Sequence, residues 1–291
     1  MTISAEIVMD SLSTGGARVT TLKLVYPRFV HGEFMTHRVF SRNASSSRAI
    51  PISKMIEAVD SEPAEPSEWG RNEPGMQSRR LLEDIDLKAA QAVWRGAARV
   101  AARTSAHLAE IGCHKQIANR VTEPWQHMAV VCTATDFNNF FTLRCHPDAD
   151  PTMQDLGWAM ADAYFNSQPR PCADGEWHLP FTTAGERLTL DIKTLLACSV
   201  ARCARVSYKN HDGSLPIVSK DLELTSSLSS SGHWSPFEHQ AQALADASQR
   251  SGNFLGWLQH RQSFLTQNVE IFDYQRAVAS RRPARLPLPT R

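Results

Sequence analysis

The chain lacks charge of one sign: 31 Lys+Arg against 30 Asp+Glu leave a net +1 over 291 residues. Holding nucleic acid by bulk electrostatics needs a basic stripe or patch, so that class is disfavoured. Long hydrophobic runs are also missing. Met128 to Cys132 is typical of the longest, a transmembrane helix needs about 20 apolar residues, and mean hydropathy is −0.33. A soluble protein with no membrane partner is expected. The start, Met1-Thr2-Ile3-Ser4-Ala5-Glu6, has neither the basic opening nor the apolar run of a secretory signal, which points to the cytoplasm. None of the six cysteines (Cys113, Cys132, Cys145, Cys172, Cys198, Cys203) forms a C-x-x-C pair. A metal site is therefore not expected, and the thiols should be reduced. Cys113-His114 and Cys145-His146 read as half-buried thiols beside polar surface residues. No internal repeat and no Gly/Ser linker divides the chain. Hydrophobic residues, at 42%, suffice for a sizeable core in one large domain or two ordinary ones.

Alternation from Arg18 to Val30, with Leu22, Leu24 and Tyr26 against Thr21 and Lys23, predicts a half-buried strand that Pro27 ends or places at an edge. Ser53 reads as the N-cap of a short helix, Lys54 to Val59, and Ser61 to Arg80 as a long irregular segment. A helix is expected from Leu87 to Ile111, capped by Asp86 and ended by Gly112. Its core stripe would be Ala90, Val93, Trp94, Ala97, Val100, Ala101, Leu108 and Ile111. Lys115 to Val121 reads as helix stopping before Pro124, Val130 to Thr133 as strand, and Met153 to Phe165 as helix. Gln168 to Arg187 reads as a connection, Leu195 to Tyr208 as an apolar stretch with interspersed arginines, and Ser219 to Ser231 as a capped helix ended by Gly232. Ser280 to Arg291, with four arginines and three prolines, reads as a terminus rather than a folded element.

Four clusters could carry chemistry. Thr36 to Arg48 concentrates His37, Arg38, Arg42, Asn43 and Arg48 among hydroxyls, a donor set suited to a phosphate or another multi-oxygen anion. Taken alone it is equally a solvated polar loop, and a serine nucleophile there would need a base that sequence cannot place. Gly232-His233-Trp234-Ser235-Pro236-Phe237-Glu238-His239 does not fit a zinc helix. Pro236 makes it a turn that could present backbone N–H groups and His233 to an anion. Asn138 to Arg144 sets an arginine behind two aromatics, either a clamp for a planar ring or an ordinary amphipathic segment. Lys115 and Asn119 are i,i+4 neighbours beside Arg120, by themselves a solvated helix face.

Together these segments resemble the flavin-dependent thymidylate synthases. The family signature is Arg-His-Arg, two residues, Ser, one residue, Asn, then Ser-x-Arg. His37, Arg38, Ser41, Asn43, Ser46 and Arg48 fall on it in register, preceded by Tyr26-Pro27-Arg28-Phe29-Val30. Lys115 to Arg120 is similar to the family's short helix with a phosphate-binding arginine. Asn139 to Arg144 is similar to the stretch whose arginine contacts the pyrimidine. Ala204-Arg205-Val206-Ser207 and Gly232 to His239 are similar to flavin-binding segments that come first in the typical member and last here. The chain thus looks circularly permuted. Departures are Thr36 for the first signature arginine, Glu33 for a usual glutamine, Ala44 for a usual acidic residue and Ala49 for a usual tyrosine.

The resemblance implies an α+β fold, a twisted, mainly antiparallel sheet with packed helices. It implies one domain over residues 1–275, with a signature and nucleotide part (1–190), a permuted flavin part (191–275) and a basic tail (276–291). The implied activity is reductive methylation of dUMP to dTMP with methylenetetrahydrofolate, FAD and NADPH, in a homotetramer. Arg144 would be catalytic. Glu33, Ser46, Arg48, Arg120 and Arg144 would bind the nucleotide, and His37, Arg38, Asn43, Asn139, Ser207, His233 and Ser235 would hold FAD. Two alternatives remain: a hydroxymethylating or dCMP-directed relative, and a non-catalytic nucleotide- or nucleic-acid-binding module.

Overall fold

The computed structural model describes residues 3–210 and 213–264. The basic tail and residues 265–275 of the expected flavin part lie outside the described residues. The first half of the chain runs β1 (Ser4–Ser13), β2 (Arg18–Pro27), α1 (His31–Phe34), β3 (Ser41–Ala44), α2 (Ile52–Ser61), α3 (Asp84–Glu110), α4 (Lys115–Ala118) and β4 (His127–Ala134). There follow α5 (Asn138–Arg144), α6 (Pro151–Asn166), β5 (Arg170–Cys172), β6 (Trp177–His178) and α7 (Ala184–Thr189). The last part holds α8 (Ile192–Arg205), α9 (Val218–Ser230), β7 (Ala241–Ala243), β8 (Arg250–Ser251), β9 (Phe254–Leu255) and β10 (Trp257–Gln259). No described helix is long and apolar enough to cross a membrane.

The fold is α+β. A five-stranded sheet has the order β3-β4-β2-β1-β5, antiparallel except where β1 meets β5. Period-two alternation sends Leu22, Leu24, Tyr26, Met128, Val130 and Cys132 to one face. There they form the main core with Phe34, Phe40, Phe137, Phe140 and the α6 residues Met153, Leu156 and Met160. The opposite face carries Val131, packed on Cys203 and Val206 from α8 and its cap. A register shift between Ile7 and Met9 changes the side to which β1 turns its side chains. Ile7 packs on the main core, whereas the Met9 sulfur accepts from Leu179 N across the other face.

A polar seam crosses that second face. Thr21 Oγ1 lies 2.7 Å from Thr133 Oγ1, His178 Nε2 is 2.8 Å from Thr21 Oγ1, and His239 Nδ1 is 2.8 Å from Thr133 Oγ1. His178 Nδ1 reaches Ser11 Oγ at 2.9 Å. All five side chains are fully buried. The seam ties β6 and the segment around His239 to the central strands, together with hydrogen bonds from Asn253 to Val39 O and from Gln259 to Ser41 Oγ.

Several local expectations change. The long helix starts at Asp84, and Glu83 rather than Asp86 occupies the N-cap. Its buried residues are Ala98, Ala101, Ala102 and Ser105, while Val93, Val100 and Ile111 of the expected stripe are exposed. The helix buries its small side chains because α2 packs closely against it through Met55 and Val59. Pro51 replaces Ser53 as the cap of α2, and Ile217 rather than a polar residue precedes α9. The one-turn α4 continues as a 3-10 helix, Asn119–Trp125, that contains Pro124. Of the two readings of Pro27 the structure bears out the first: β2 ends there, with Arg28–Val30 in a 3-10 turn, and the strand is central rather than at an edge. The 168–187 connection contains β5, β6 and α7, and all six cysteines are unpaired.

Burial lowers the pKa of His178 and of His239 from 6.5 to about 3. The unfolded chain therefore binds more protons than the folded one between pH 6.5 and 3. Stability should be level above pH 7 and fall through that window, by about 1.4 kcal/mol per pH unit for each histidine. Urea unfolding of the wild type and of His178→Gln across pH 4–8 checks this: the variant should show a shallower acid loss.

Candidate active site

The aromatic cluster sets the geometry. Phe34, Phe40 and Phe140 pack edge to face and tilted at 5.3–5.9 Å, and the His37 ring stands on Phe140 at 4.8 Å. This pins the 35–40 loop against α5, the helix that ends in Arg144. Gly157 of α6 allows α5 to approach: a Cβ there would lie 3.0 Å from Arg144 C and O. Arg42 closes the turn after α1 by donating to Met35 O at 3.0 Å and Phe34 O at 3.3 Å.

The Arg144 side chain, 19% exposed, is held by three groups from one short stretch. Its Nε donates to His37 Nε2 at 3.0 Å, one terminal nitrogen to Glu33 Oε2 at 3.0 Å, and the other to Thr36 Oγ1 at 3.3 Å. Burial first, then the Arg144 and Arg42 guanidiniums, lower the His37 pKa. A neutral His37 is what the geometry requires, because its Nε2 accepts from Arg144. Segments more than a hundred residues apart thus meet at one guanidinium. Thr36 and Glu33, departures from the signature, are both direct partners of Arg144, and Glu33 balances its charge.

A second cluster forms where the 45–50 loop lies on α4. Asn119 is fully buried and its amide donates to Ser47 O (2.8 Å) and Ile50 O (3.1 Å). It is therefore a clamp rather than part of a solvated face. Lys115 Nζ reaches Ala49 O at 3.5 Å. Ser46 Oγ accepts from Arg48 N at 3.3 Å. Arg48 and Arg120 are exposed, and neither has an ion-pair partner among the described residues. Arg38 is also exposed. Arg120 Nε donates to Gln116 O at 3.2 Å; guanidiniums and a serine hydroxyl are the donor types that suit phosphate oxygens.

A third cluster joins the signature to the C-terminal segment. The Asn43 amide nitrogen, assigned from its hydrogen-bond network, faces Ser235 Oγ (3.1 Å), Ser235 O (3.2 Å) and Arg42 O (3.1 Å). Ser235 and Glu238 bound a 3-10 turn, and burial raises the Glu238 pKa. His233 is exposed, with Nδ1 2.8 Å from Ser231 Oγ. Asn139 is exposed on the first turn of α5. Asn43, Val131 and Lys23 stand in one row across β3, β4 and β2. Ser207 lies over that row, lining a cavity of about 370 Å³ with Lys23, Glu6, Phe181 and Tyr208. Val206 before it adopts φ +59°, a strained left-handed cap for a β-branched residue.

The structure therefore joins Glu33, Thr36, His37 and Arg144 directly, Ser46 with Arg48 near α4 and Arg120, and Asn43 with Ser235. Among the described residues, a cavity of about 580 Å³ is lined by Glu62, Glu65, Asp155, Asp162, His127 and Trp158 among others and contains none of them. Thr133 and Gly157 were not expected at the site, and Arg42, though part of the 36–48 donor cluster, was given no role. The roles of Thr133 and Gly157 depend on contacts between distant segments, and no local pattern announces them. No group of three or more potential metal ligands occurs among the described residues.

No family model and no curated protein matches the chain. Two solved structures of a UMP/dUMP methylase, PolB from Streptomyces cacaoi, are similar in part. The one bound with 5-Br UMP is 18% identical with a TM-score of 0.45, covering 56% of this chain and 88% of that one. The one bound with 5-Br dUMP is 17% identical with a TM-score of 0.45, covering 56% and 90%.

Gly157→Ala should force α5 away from α6 and cost about 1–3 kcal/mol, or about 2–4 °C in Tm for each kcal/mol. Gly96→Ala, in α3 with no atom within 4 Å of the new Cβ, should instead gain up to about 1 kcal/mol from helix propensity. Thermal unfolding of both variants checks the pair.

Proposed function

We propose that the chain is a flavin-dependent methylase of a pyrimidine deoxynucleotide monophosphate, acting on dUMP to form dTMP. One observation carries this reading. Arg144, from the segment similar to the family's pyrimidine-binding stretch, is hydrogen-bonded to His37 of the segment similar to its signature. Chance likeness of two short motifs would not put them in contact.

In this reading FAD, reduced by NADPH, supplies hydride, and methylenetetrahydrofolate supplies the one-carbon unit. The chain's own residues bind and polarise. Arg144, oriented by Glu33, Thr36 and His37, offers its remaining N–H groups to the pyrimidine edge and stabilises negative charge developing on the ring. Ser46, Arg48 and Arg120 hold the nucleotide phosphate. His37, Arg38, Asn43, Asn139, Ser207, His233 and Ser235 would hold the flavin. By the resemblance, the site is assembled between copies in a homotetramer. Glu33 sets a hydrogen-bond acceptor beside the Arg144 donors. That pairing favours dCMP, whose exocyclic amine donates, as the second acceptor to test.

The purified protein should show a flavin absorbance band, by itself or after FAD is added; a protein that never takes up FAD would overturn the proposal. Mass spectrometry of the products from dUMP and dCMP then identifies acceptor and added group. Arg144→Ala should lower kcat by about 100- to 1,000-fold, the loss of about 2.7–4 kcal/mol expected for a charge-stabilising donor. Arg120→Ala should mainly raise the nucleotide KM, because phosphate contacts are made in ground and transition states alike. Steady-state kinetics of the two variants separates these roles.

A further inference from the structure

We infer that His239, keyed by Thr133, is a positioning residue that fixes the orientation of the Asn43 amide at the edge of the sheet. This rests on the reading of Asn43 as a flavin-binding residue but is tested separately from it.

Asn43 stands at the end of the polar seam. His239 Nε2 lies 3.4 Å from the Asn43 amide atom that also faces Ser235 and Arg42 O. That atom is nitrogen when its neighbours Ser235 O and Arg42 O are carbonyls, so His239 Nε2 accepts. A neutral imidazole carries one hydrogen, which then sits on Nδ1 and is donated to Thr133 Oγ1 at 2.8 Å. Each threonine hydroxyl holds a single hydrogen, so the direction continues. Thr133 donates to Thr21, Thr21 donates to His178 Nε2, and His178 Nδ1–H donates to Ser11. One residue from each of four adjacent strands takes part: Asn43, Thr133, Thr21 and Ser11 belong to β3, β4, β2 and β1. At about 4.8 Å per strand the seam spans about 14 Å.

The ring of His239 has no freedom to serve another purpose. It is fully buried, so it remains neutral, and both nitrogens are engaged. With Nδ1–H committed to Thr133, only Nε2 faces Asn43, and a lone-pair acceptor rejects the amide oxygen. A reversed amide would set its oxygen against Nε2, Ser235 O and Arg42 O together. The C-terminal segment thereby dictates which polar atom the signature asparagine turns to its ligand.

The test uses the full-length protein labelled with ¹⁵N. In the wild type without FAD, ring ¹⁵N shifts should show His239 as the neutral Nδ1–H tautomer, with one set of Asn43 side-chain amide signals. Thr133→Val removes the acceptor of Nδ1–H without changing side-chain size. It should move His239 off the pure Nδ1–H tautomer, shift or split the Asn43 amide signals, and weaken FAD binding about tenfold. Thr133→Ser, which restores the hydroxyl, should recover all three. Thr133→Val with unchanged Asn43 signals, or with FAD affinity within twofold of wild type while the His239 tautomer has changed, would overturn the inference. So would a wild-type ring found as Nε2–H. If Thr133→Val does not fold, the wild-type tautomer and Thr133→Ser decide: a ring that is not Nδ1–H in either overturns it. Wild-type protein that takes up no FAD overturns the flavin reading instead, while the ring and amide signals of the apo protein still decide whether His239 orients Asn43.

Discussion

Burying polar side chains between layers is costly unless every donor meets an acceptor, and the pairing of Thr21 with Thr133 meets that constraint at the centre of this fold. The two hydroxyls face each other at 2.7 Å on adjacent antiparallel strands. Each takes one imidazole, His178 or His239, from a segment that arrives later in the chain. Apolar residues at either threonine would leave a buried ring nitrogen unpaired. The seam therefore specifies which segments cover the second face of the sheet, where hydrophobic contact alone would be less selective.

The two faces are held by different physics. The main core is an aliphatic and aromatic cluster between the sheet and α6, and its edge, Phe40 and Phe140, supports His37. The second face combines the seam with a buried ion network. Arg202, fully buried, pairs with Glu186 and Asp221, and Arg205 pairs with the same aspartate. Removing one member of such a network strands a charge, so this arrangement fixes α7, α8 and α9 to one another. The candidate site lies where both faces reach the β3 end of the sheet. His37 and Arg144 come from the hydrophobic side, and Asn43 and Ser235 from the polar side.

Two residues where the chain departs from the signature it resembles have a shared physical consequence. Thr36 and Glu33 both touch Arg144, and Glu33 offsets its charge. Arg144 is consequently a neutralised, firmly oriented donor rather than an open cation. In the proposed function this suits reading the hydrogen-bond pattern of a ring edge more than its charge, with Arg48 and Arg120, exposed and without an ion-pair partner among the described residues, left for the phosphate.

Patterns with a short range were legible in the sequence: the alternation of β2, the extent of α6, the glycine that ends α9, and the polar composition of Thr36 to Arg48. The stretch from Leu195 to Tyr208 was legible only as apolar with arginines, not as the helix α8. The helix stripe was misplaced because periodicity identifies a helix but not which side its neighbour takes; α2 chose the alanine face of α3. The caps at Ser53 and Asp86 failed for a similar reason, since chain direction at the helix start overrode side-chain preference. Asn119, Thr133 and His239 look like ordinary polar residues in sequence, because their partners lie 72, 112 and 106 residues away. By itself the sequence determined the residue types that chemistry at this site requires and the local elements that carry them. Tertiary structure alone decided which of them meet, because only packing of the two faces against one sheet brings Arg144 to His37 and His239 to Asn43.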